Sequence, residues 1–297
     1  MTYKAGFIAL IGRPNAGKST LINQIVAHKV AIVSDKAQTT RNTIKAIKTT
    51  EQAQMVFIDT PGIHKAQHEM GRQLNRLAFA ALEGVDLIYY LLDITKPFGK
   101  GDEFVLELIK KQSIPIFLIV NKIDLVPRKT LIEKLLELQS MEVFAEIVPI
   151  SALNNDNINH LIQASEAYMP EGEKFYHEDW ALDYPEQFMI TEIIREHILH
   201  LTQQEIPHSV AVVLDNMKED KKGILIQASI VTERDSQKAI LIGKQGSMLK
   251  QIGQNARQEL VKRLDKPIYL DLFVKVDKDW RNLRRSLDVY MHRDLEQ

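Results

Sequence analysis

Residues 12–19 read Gly12-Arg13-Pro14-Asn15-Ala16-Gly17-Lys18-Ser19, the G-x-x-x-x-G-K-[ST] spacing. Glycines let the backbone curl until several N–H groups and a helix N-terminus face one anion. A lysine after the second glycine reaches the β and γ phosphates of a nucleoside triphosphate, and the next hydroxyl reaches Mg²⁺. The run lies between an apolar segment and an amphipathic one carrying Leu21, Ile22, Ile25 and Val26, the strand-then-helix setting this pattern needs. Gly12, Asn15, Ala16, Gly17, Lys18, Ser19 and Thr20 are therefore the expected phosphate contacts. Asp59-Thr60-Pro61-Gly62 follows the next buried strand, where Asp59 can hold Mg²⁺ through water and the Gly62 N–H can meet the γ phosphate.

Asn121-Lys122-Ile123-Asp124 ends a further apolar run, at the strand end where open α/β sheets bind ligands. A carboxylate at Asp124 accepts from both the N1–H and the N2 amine of guanine, whereas adenine offers neither donor. Two such bonds, at about 1–3 kcal/mol each, select guanine. Asn121 would bridge the base and the phosphate loop, and the Lys122 stem would cover the ring. In Ser151-Ala152-Leu153 the Ala152 N–H can face guanine O6. The position after D-x-x-G, where a water-orienting glutamine stands in small GTPases, is Ile63. Catalysis must then rest on Mg²⁺, Lys18 and backbone donors such as the Gly62 N–H, with unassisted turnover nearer ~10⁻⁴–10⁻² s⁻¹ than the ~1–100 s⁻¹ of kinases. Arg13 and Arg41 read as surface or hinge charges rather than internal arginine fingers, and His64 and His68 as a mobile polar segment.

These groups must be carried by an α/β framework. From Ala5 to about Met169, short apolar runs alternate with amphipathic stretches, which predicts a mostly parallel sheet with strands at 5–11, 56–59, 87–93, 116–121 and 143–150. Residues 43–48 alternate polar and apolar and predict an antiparallel edge strand. Pro170-Glu171-Gly172 breaks the last helix, and from Glu171 to Glu192 seven acidic residues stand against one lysine. The expected division is a nucleotide-binding domain at 1–170, an acidic linker at 171–186 and a second domain at 187–297 with a C-terminal helix.

In the second domain, Phe188, Ile190, Ile193, Ile194, Ile198 and Leu201 recur at helical spacing. Strands at 209–214 and 224–231 flank a polar hairpin connection at 216–223, and an alternating strand runs from 268 to 274. Gly243-Lys244-Gln245-Gly246 is a G-x-x-G between two helical patterns, where glycines let a sugar-phosphate chain approach and Lys244 neutralises it. Lys250 and Arg257 share one helical face opposite the apolar Leu249, Ile252, Ala256, Leu260 and Leu264. Trp280, Arg281, Arg284 and Arg285 extend the basic surface or, for the Trp, belong to the core. His197 and His200 read as exposed polar residues.

Composition bounds the rest. The 297 residues carry 38 Lys+Arg against 39 Asp+Glu, a net charge of −1, so bulk charge does not drive the chain onto nucleic acid. A local patch does exist, with 12 basic residues against 5 acidic between Lys238 and Arg285. The absence of cysteine removes disulfides, thiol catalysis and Cys-ligated zinc. Apolar runs fall short of the ~20 residues that span a bilayer, and no cleavable leader is visible, so a cytoplasmic setting is expected, with contact to a membrane surface left open.

The motifs of the first domain resemble the GTPase branch that contains the Era and MnmE families. Ala37-Gln38-Thr39-Thr40-Arg41 is similar to that branch's switch I, which implies that Thr40 reaches Mg²⁺. Asn15 matches the asparagine that helps coordinate K⁺ there, with residues 34–40 closing the ion's cage. The helix, hairpin, helix, G-x-x-G, helix, strand order resembles a type II KH domain, a module that grips about four single-stranded nucleotides. This implies RNA contacts at Gly243, Lys244, Gln245, Gly246, Lys250 and Arg257. Together the two resemble the bacterial Era family over essentially the whole chain, with similar segments at 205–212 and 271–276. The family implies a monomeric GTP/GDP switch that binds the single-stranded 3′ end of 16S RNA, assists small ribosomal subunit assembly and touches the inner membrane peripherally. Other readings are a tRNA-modifying GTPase of the MnmE kind, whose C-terminal chemistry needs a cysteine that is absent, and an RNA-binding protein with a purely structural nucleotide site. Asp124 disfavours a P-loop kinase.

Overall fold

The computed structural model describes residues 2–34, 36, 39–66, 68–203 and 206–292. The chain divides into two units, Met1–Gln67 with Gly71–Asp183, and His68–Met70 with Tyr184–Gln297. No described helix is long and apolar enough to cross a membrane.

In the first unit the order is β1 (Lys4–Gly12), α1 (Lys18–Val26), β2 (Ile44–Thr49), β3 (Ala53–Asp59), α2 (Glu69–Ala80), β4 (Leu87–Asp93), α3 (Lys100–Ile109), β5 (Ile116–Asn121), α4 (Arg128–Gln139), β6 (Glu146–Pro149), α5 (Ile158–Glu166) and the two-residue β7 (Leu182–Asp183). The sheet runs β6-β5-β4-β1-β3-β2-β7. Strands β6 through β3 are parallel, while β2 pairs antiparallel with β3. Every residue of β4 and of β5 is buried, as strands covered on both faces must be. Parallel pairing brings the C-terminal ends of β1, β3, β4 and β5 to one edge, so Gly12, Asp59, Asp93 and Asn121 gather there although the sequence separates them widely.

Two expectations need correction. The 43–48 strand is antiparallel but not at the edge, because β7 adds outside it through Lys45 and Ala46. The stretch read as the start of a linker is pinned instead to the first unit. Phe175 packs on Phe7 with ring centroids 4.8 Å apart, and the Tyr176 backbone exchanges hydrogen bonds with the Gln54 amide at 2.9 Å. Acidic composition signalled solvent exposure, and the interleaved aromatics decided the packing.

The second unit contains α6 (Glu186–Leu201), the one-turn α7 (Ile206–Ser209), β8 (Ala211–Asp220), β9 (Gly223–Thr232), α8 (Asp235–Ile242), α9 (Ser247–Leu264), β10 (Ile268–Val276) and α10 (Arg284–His292). Its sheet runs β10-β9-β8, with β10 parallel and β8 antiparallel to β9. The hairpin connection is shorter than the polar stretch suggested: β8 continues to Asp220 after a register shift between Leu214 and Asn216. Ile252, Ala256 and Leu260 of α9 meet Ile190, Ile194 and Ile198 of α6 in one apolar core. Burying each large aliphatic contributes about 1.5–3 kcal/mol. Trp280 belongs to the core: it precedes α10, is fully buried and donates from Nε1 to the Ser209 carbonyl at 3.0 Å. His197 is half-buried rather than exposed, 3.0 Å from Glu259 Oε2.

Candidate nucleotide site and nucleic-acid groove

The loop between β1 and α1 carries the phosphate motif. Gly17 has φ +99°, and a Cβ there would lie 2.2 Å from Asn121 Nδ2, so both backbone conformation and space demand glycine. Lys18 is buried, and its Nζ donates to the Gly12 and Arg13 carbonyls at 3.3 Å. Burial pushes its pKa down, opposed by the nearby Asp59 carboxylate. The lysine is thus a desolvated donor held beside the phosphate loop.

Three oxygen ligands converge beside it. Ser19 Oγ lies 2.8 Å from Asp59 Oδ2 and 2.9 Å from Thr40 Oγ1, and Thr40 Oγ1 lies 3.3 Å from Asp59 Oδ2. Asp59 Oδ1 is buried without a hydrogen-bond partner. Burial raises the Asp59 pKa, against the pull of Lys18 and the two hydroxyls. A buried carboxylate oxygen without a donor, beside two hydroxyls, is a hard-oxygen set that suits Mg²⁺. Asn15, Gly17, Lys18, Ser19, Thr20, Ser34, Thr40 and Gly62 line one small cavity of about 50 Å³. Within the expected switch I, Thr39, Thr40 and Arg41 are buried, so Arg41 is not a surface charge. Ala37 and Gln38 lie outside the described residues. Ile63 is turned into the apolar core, and His64 Nδ1 sits 2.9 Å from the Gly62 carbonyl oxygen.

The base-recognition residues come from the ends of β5 and β6. Asn121 Nδ2 donates to the Ala16 carbonyl at 2.9 Å, while its Oδ1 accepts from Lys122 N and Ala152 N at 2.8 and 3.0 Å. The Ala152 N–H, expected to face guanine O6, is therefore engaged by Asn121. Asp124 lies exposed in a short 3₁₀ turn, Ile123–Leu125. Ser151 is buried, its Oγ accepting from Asn154 N at 3.2 Å, and Leu153 is exposed. Two partners escaped sequence reasoning. Lys122 Nζ bridges Asp93 Oδ2 at 2.6 Å and the Asn15 carbonyl at 2.9 Å, and Arg13 pairs with Asp102 at 2.9 Å. Burial alone would raise the Asp93 pKa, but the bonds from Lys122 and Thr95 outweigh it and hold it below the ordinary value. The only sequence signal for Asp93 was a carboxylate ending an otherwise apolar strand.

In the second unit, Gly243 (φ +71°), Gln245 (φ +52°) and Gly246 (φ +78°) all adopt left-handed backbone across the G-x-x-G. Lys244 and Gln245 are exposed there, and a Cβ at Gly246 would meet nothing within 4 Å. Gly246, Lys250 and Arg257 line a groove of about 650 Å³ with Gly253, Gln254 and the β10 residues Leu270–Phe273. Gly243, Lys244 and Gln245 stand outside that lining. Arg257 also donates to the Ile268 carbonyl at 3.4 Å. Along β10 the side chains alternate, so Tyr269, Asp271, Phe273 and Lys275 face solvent. Phe273 at the groove is thus an exposed aromatic, found from the strand's alternation only once its edge position is known.

Comparison with known proteins agrees with this construction. Residues 7–122 match the 50S ribosome-binding GTPase family and 205–281 the KH domain family. The chain is 48% identical over 281 residues, covering 94% of each chain, to GTPase Era of Staphylococcus epidermidis. It is similar at 37% identity and a TM-score of 0.94, over 97% of this chain and 98% of the other, to Era in complex with MgGDPNP and nucleotides 1506–1542 of 16S ribosomal RNA. A variant of Aquifex aeolicus Era bound to GDP·AlF4⁻ matches at 37% identity and a TM-score of 0.93, again over 97% and 98%. With its phosphate loop, guanine-selective turn and G-x-x-G groove carried on these two units, the chain belongs to the Era family and is a GTPase whose nucleotide-binding domain is followed by a KH domain.

Proposed function

We propose that this GTPase is a switch whose nucleotide state sets its grip on the 3′ end of 16S ribosomal RNA, in the service of small-subunit assembly. The observation that carries the reading is the convergence of Ser19, Thr40 and Asp59 around one buried carboxylate oxygen. Thr40 belongs to a loop that a γ phosphate would hold and its loss release. The RNA part rests on the groove beside Gly246 and on the similarity to the Era structure that holds such RNA.

Hydrolysis breaks the bond from the γ phosphorus to its bridging oxygen. Water supplies the new P–O bond and loses a proton, and GDP keeps the electron pair. Lys18, stripped of water, meets the charge that develops on the β and γ oxygens, where a low dielectric makes a fixed cation most effective. Gly62 lines the same cavity, where its N–H would serve the same charge. Ser19, Thr40 and, through water, Asp59 would hold Mg²⁺, which neutralises phosphate charge. Asn15 and the loop at 34–40 would hold K⁺, which supplies the positive charge that an arginine finger supplies elsewhere. With the apolar Ile63 where a water-orienting side chain would stand, unassisted turnover is expected to be slow. In our reading the protein works as a monomer in the cytoplasm, with peripheral contact at the inner membrane.

The test is titration of the full chain with a 16S 3′-end oligonucleotide, in GDP and in a non-hydrolysable GTP analogue. We expect affinities that differ by about tenfold or more, since coupling between sites typically spans 5–150-fold. Superimposable isotherms would overturn the switch. Hydrolysis in K⁺ is expected to exceed that in Na⁺, and equal rates would remove K⁺ from the scheme.

A further inference from the structure

A cavity of about 700 Å³ in the first unit is not the phosphate site but lies across the phosphate loop from it, with Pro14 and Asn15 lining both. Its volume is that of a small-molecule site, which typically spans ~300–1,000 Å³. The floor is apolar, from Ile63, Leu91 and Leu92, and Phe104 stands at the mouth about half exposed. None of the residues used for GTP above explains such an apolar hollow.

The charges around it are unequal in their commitments. Both carboxylates of the lining are engaged: Asp102 with Arg13, the Gly99 N–H and the Tyr90 hydroxyl, and Asp93 with Lys122 and Thr95. Lys96 comes only within 4.0 Å of the already occupied Asp93 oxygen. Lys65 and Lys100 are exposed and make no ion pair among the described residues. An apolar hollow with an aromatic at its lip and spare ammonium groups at its rim matches an organic anion with a flat aromatic body.

We propose that this cavity is a regulatory site for a small aromatic organic anion, and that its occupant slows release of GDP. The link runs through the shared wall. Asp93 holds Lys122, and Lys122 holds the Asn15 carbonyl, so a ligand packed between Arg13–Ala16 and the end of β4 braces the phosphate loop in the arrangement these bonds define. A ligand acts this way only if it favours the closed loop over the open one.

The test uses the full-length GDP-loaded protein and 8-anilinonaphthalene-1-sulfonate, an aromatic monoanion whose fluorescence rises in apolar surroundings. Excess GDP blocks the nucleotide site itself. We expect saturable binding of one probe per chain, weakened about tenfold by Phe104→Asp and by Lys100→Glu. Both variants change exposed residues, and retention of wild-type GDP affinity shows that they fold. Release of tritiated GDP should slow by about threefold or more at saturating probe. Probe binding that neither substitution weakens, or GDP release that ignores the probe, would overturn the proposal.

Discussion

The Asn121 side-chain amide donates to the Ala16 carbonyl at 2.9 Å, tying the turn that reads the base to the loop that holds the phosphates. The same side chain accepts from Ala152 N, so one residue joins three segments at the strand ends. Asn121→Ala leaves the Ala16 carbonyl and the Ala152 N–H buried without partners, at about 1–3 kcal/mol per group. GDP affinity is expected to fall at least tenfold, roughly 1.4 kcal/mol, together with the melting temperature. Calorimetric titration and thermal unfolding check both, and unchanged GDP affinity would separate the two segments.

Asp124 selects guanine because its carboxylate only accepts. Asp124→Asn replaces one acceptor oxygen with a donor, which suits the C2 carbonyl of xanthine rather than the N2 amine of guanine. The variant should lose about 10²–10⁴ in GTP affinity and recover part of it with xanthosine triphosphate. Competition between the two nucleotides for wild type and variant reads the exchange directly.

Asp93 gives a pH dependence of known sign. Its folded pKa lies below its ordinary value of 3.8, so its contribution to stability is complete above that value and is lost as pH falls through the folded pKa. Asp93→Asn removes the titrating group. The stability gap between wild type and variant should therefore be constant near neutrality and shrink below ~pH 4. Urea unfolding at a series of pH values measures it, and a gap that widens on acidification contradicts the direction assigned here.

In the groove of the second unit, charge and stacking should separate experimentally. Lys250→Ala is expected to weaken single-stranded RNA binding and reduce the salt slope by about 0.7, the value for one phosphate contact on a single strand. Phe273→Ala should cost about 1–3 kcal/mol, the worth of one stacked base, and leave that slope unchanged. Filter binding from low to high salt distinguishes them. A changed slope in Phe273→Ala would mean that the ring is not a stacking platform.

Much of the site is local chemistry and could be read directly. G-x-x-x-x-G-K-S places Lys18 and Ser19 by backbone curvature alone, and β4 and β5 showed as unbroken apolar runs because both faces are covered. Less local features were hidden. Ala152 N pairs with Asn121 instead of standing free, since contacts across strand ends depend on pairing order rather than on spacing. Segment 171–183 looked like a linker from its charges, although Phe175 and Tyr176 fasten it to the first unit.

Residue order alone determined which chemistries are available: a phosphate cradle, a carboxylate matched to guanine, and a glycine turn beside a basic helix. Each arises within a few consecutive residues, where backbone conformation and side-chain type suffice. Tertiary structure alone decided that Ser19, Thr40 and Asp59 meet within 3.3 Å, that Asp93 clamps Lys122, and that an apolar hollow opens behind the phosphate loop. Those depend on parallel strands delivering distant ends to one sheet edge, a consequence of burying both faces of the sheet at once that no short segment encodes by itself.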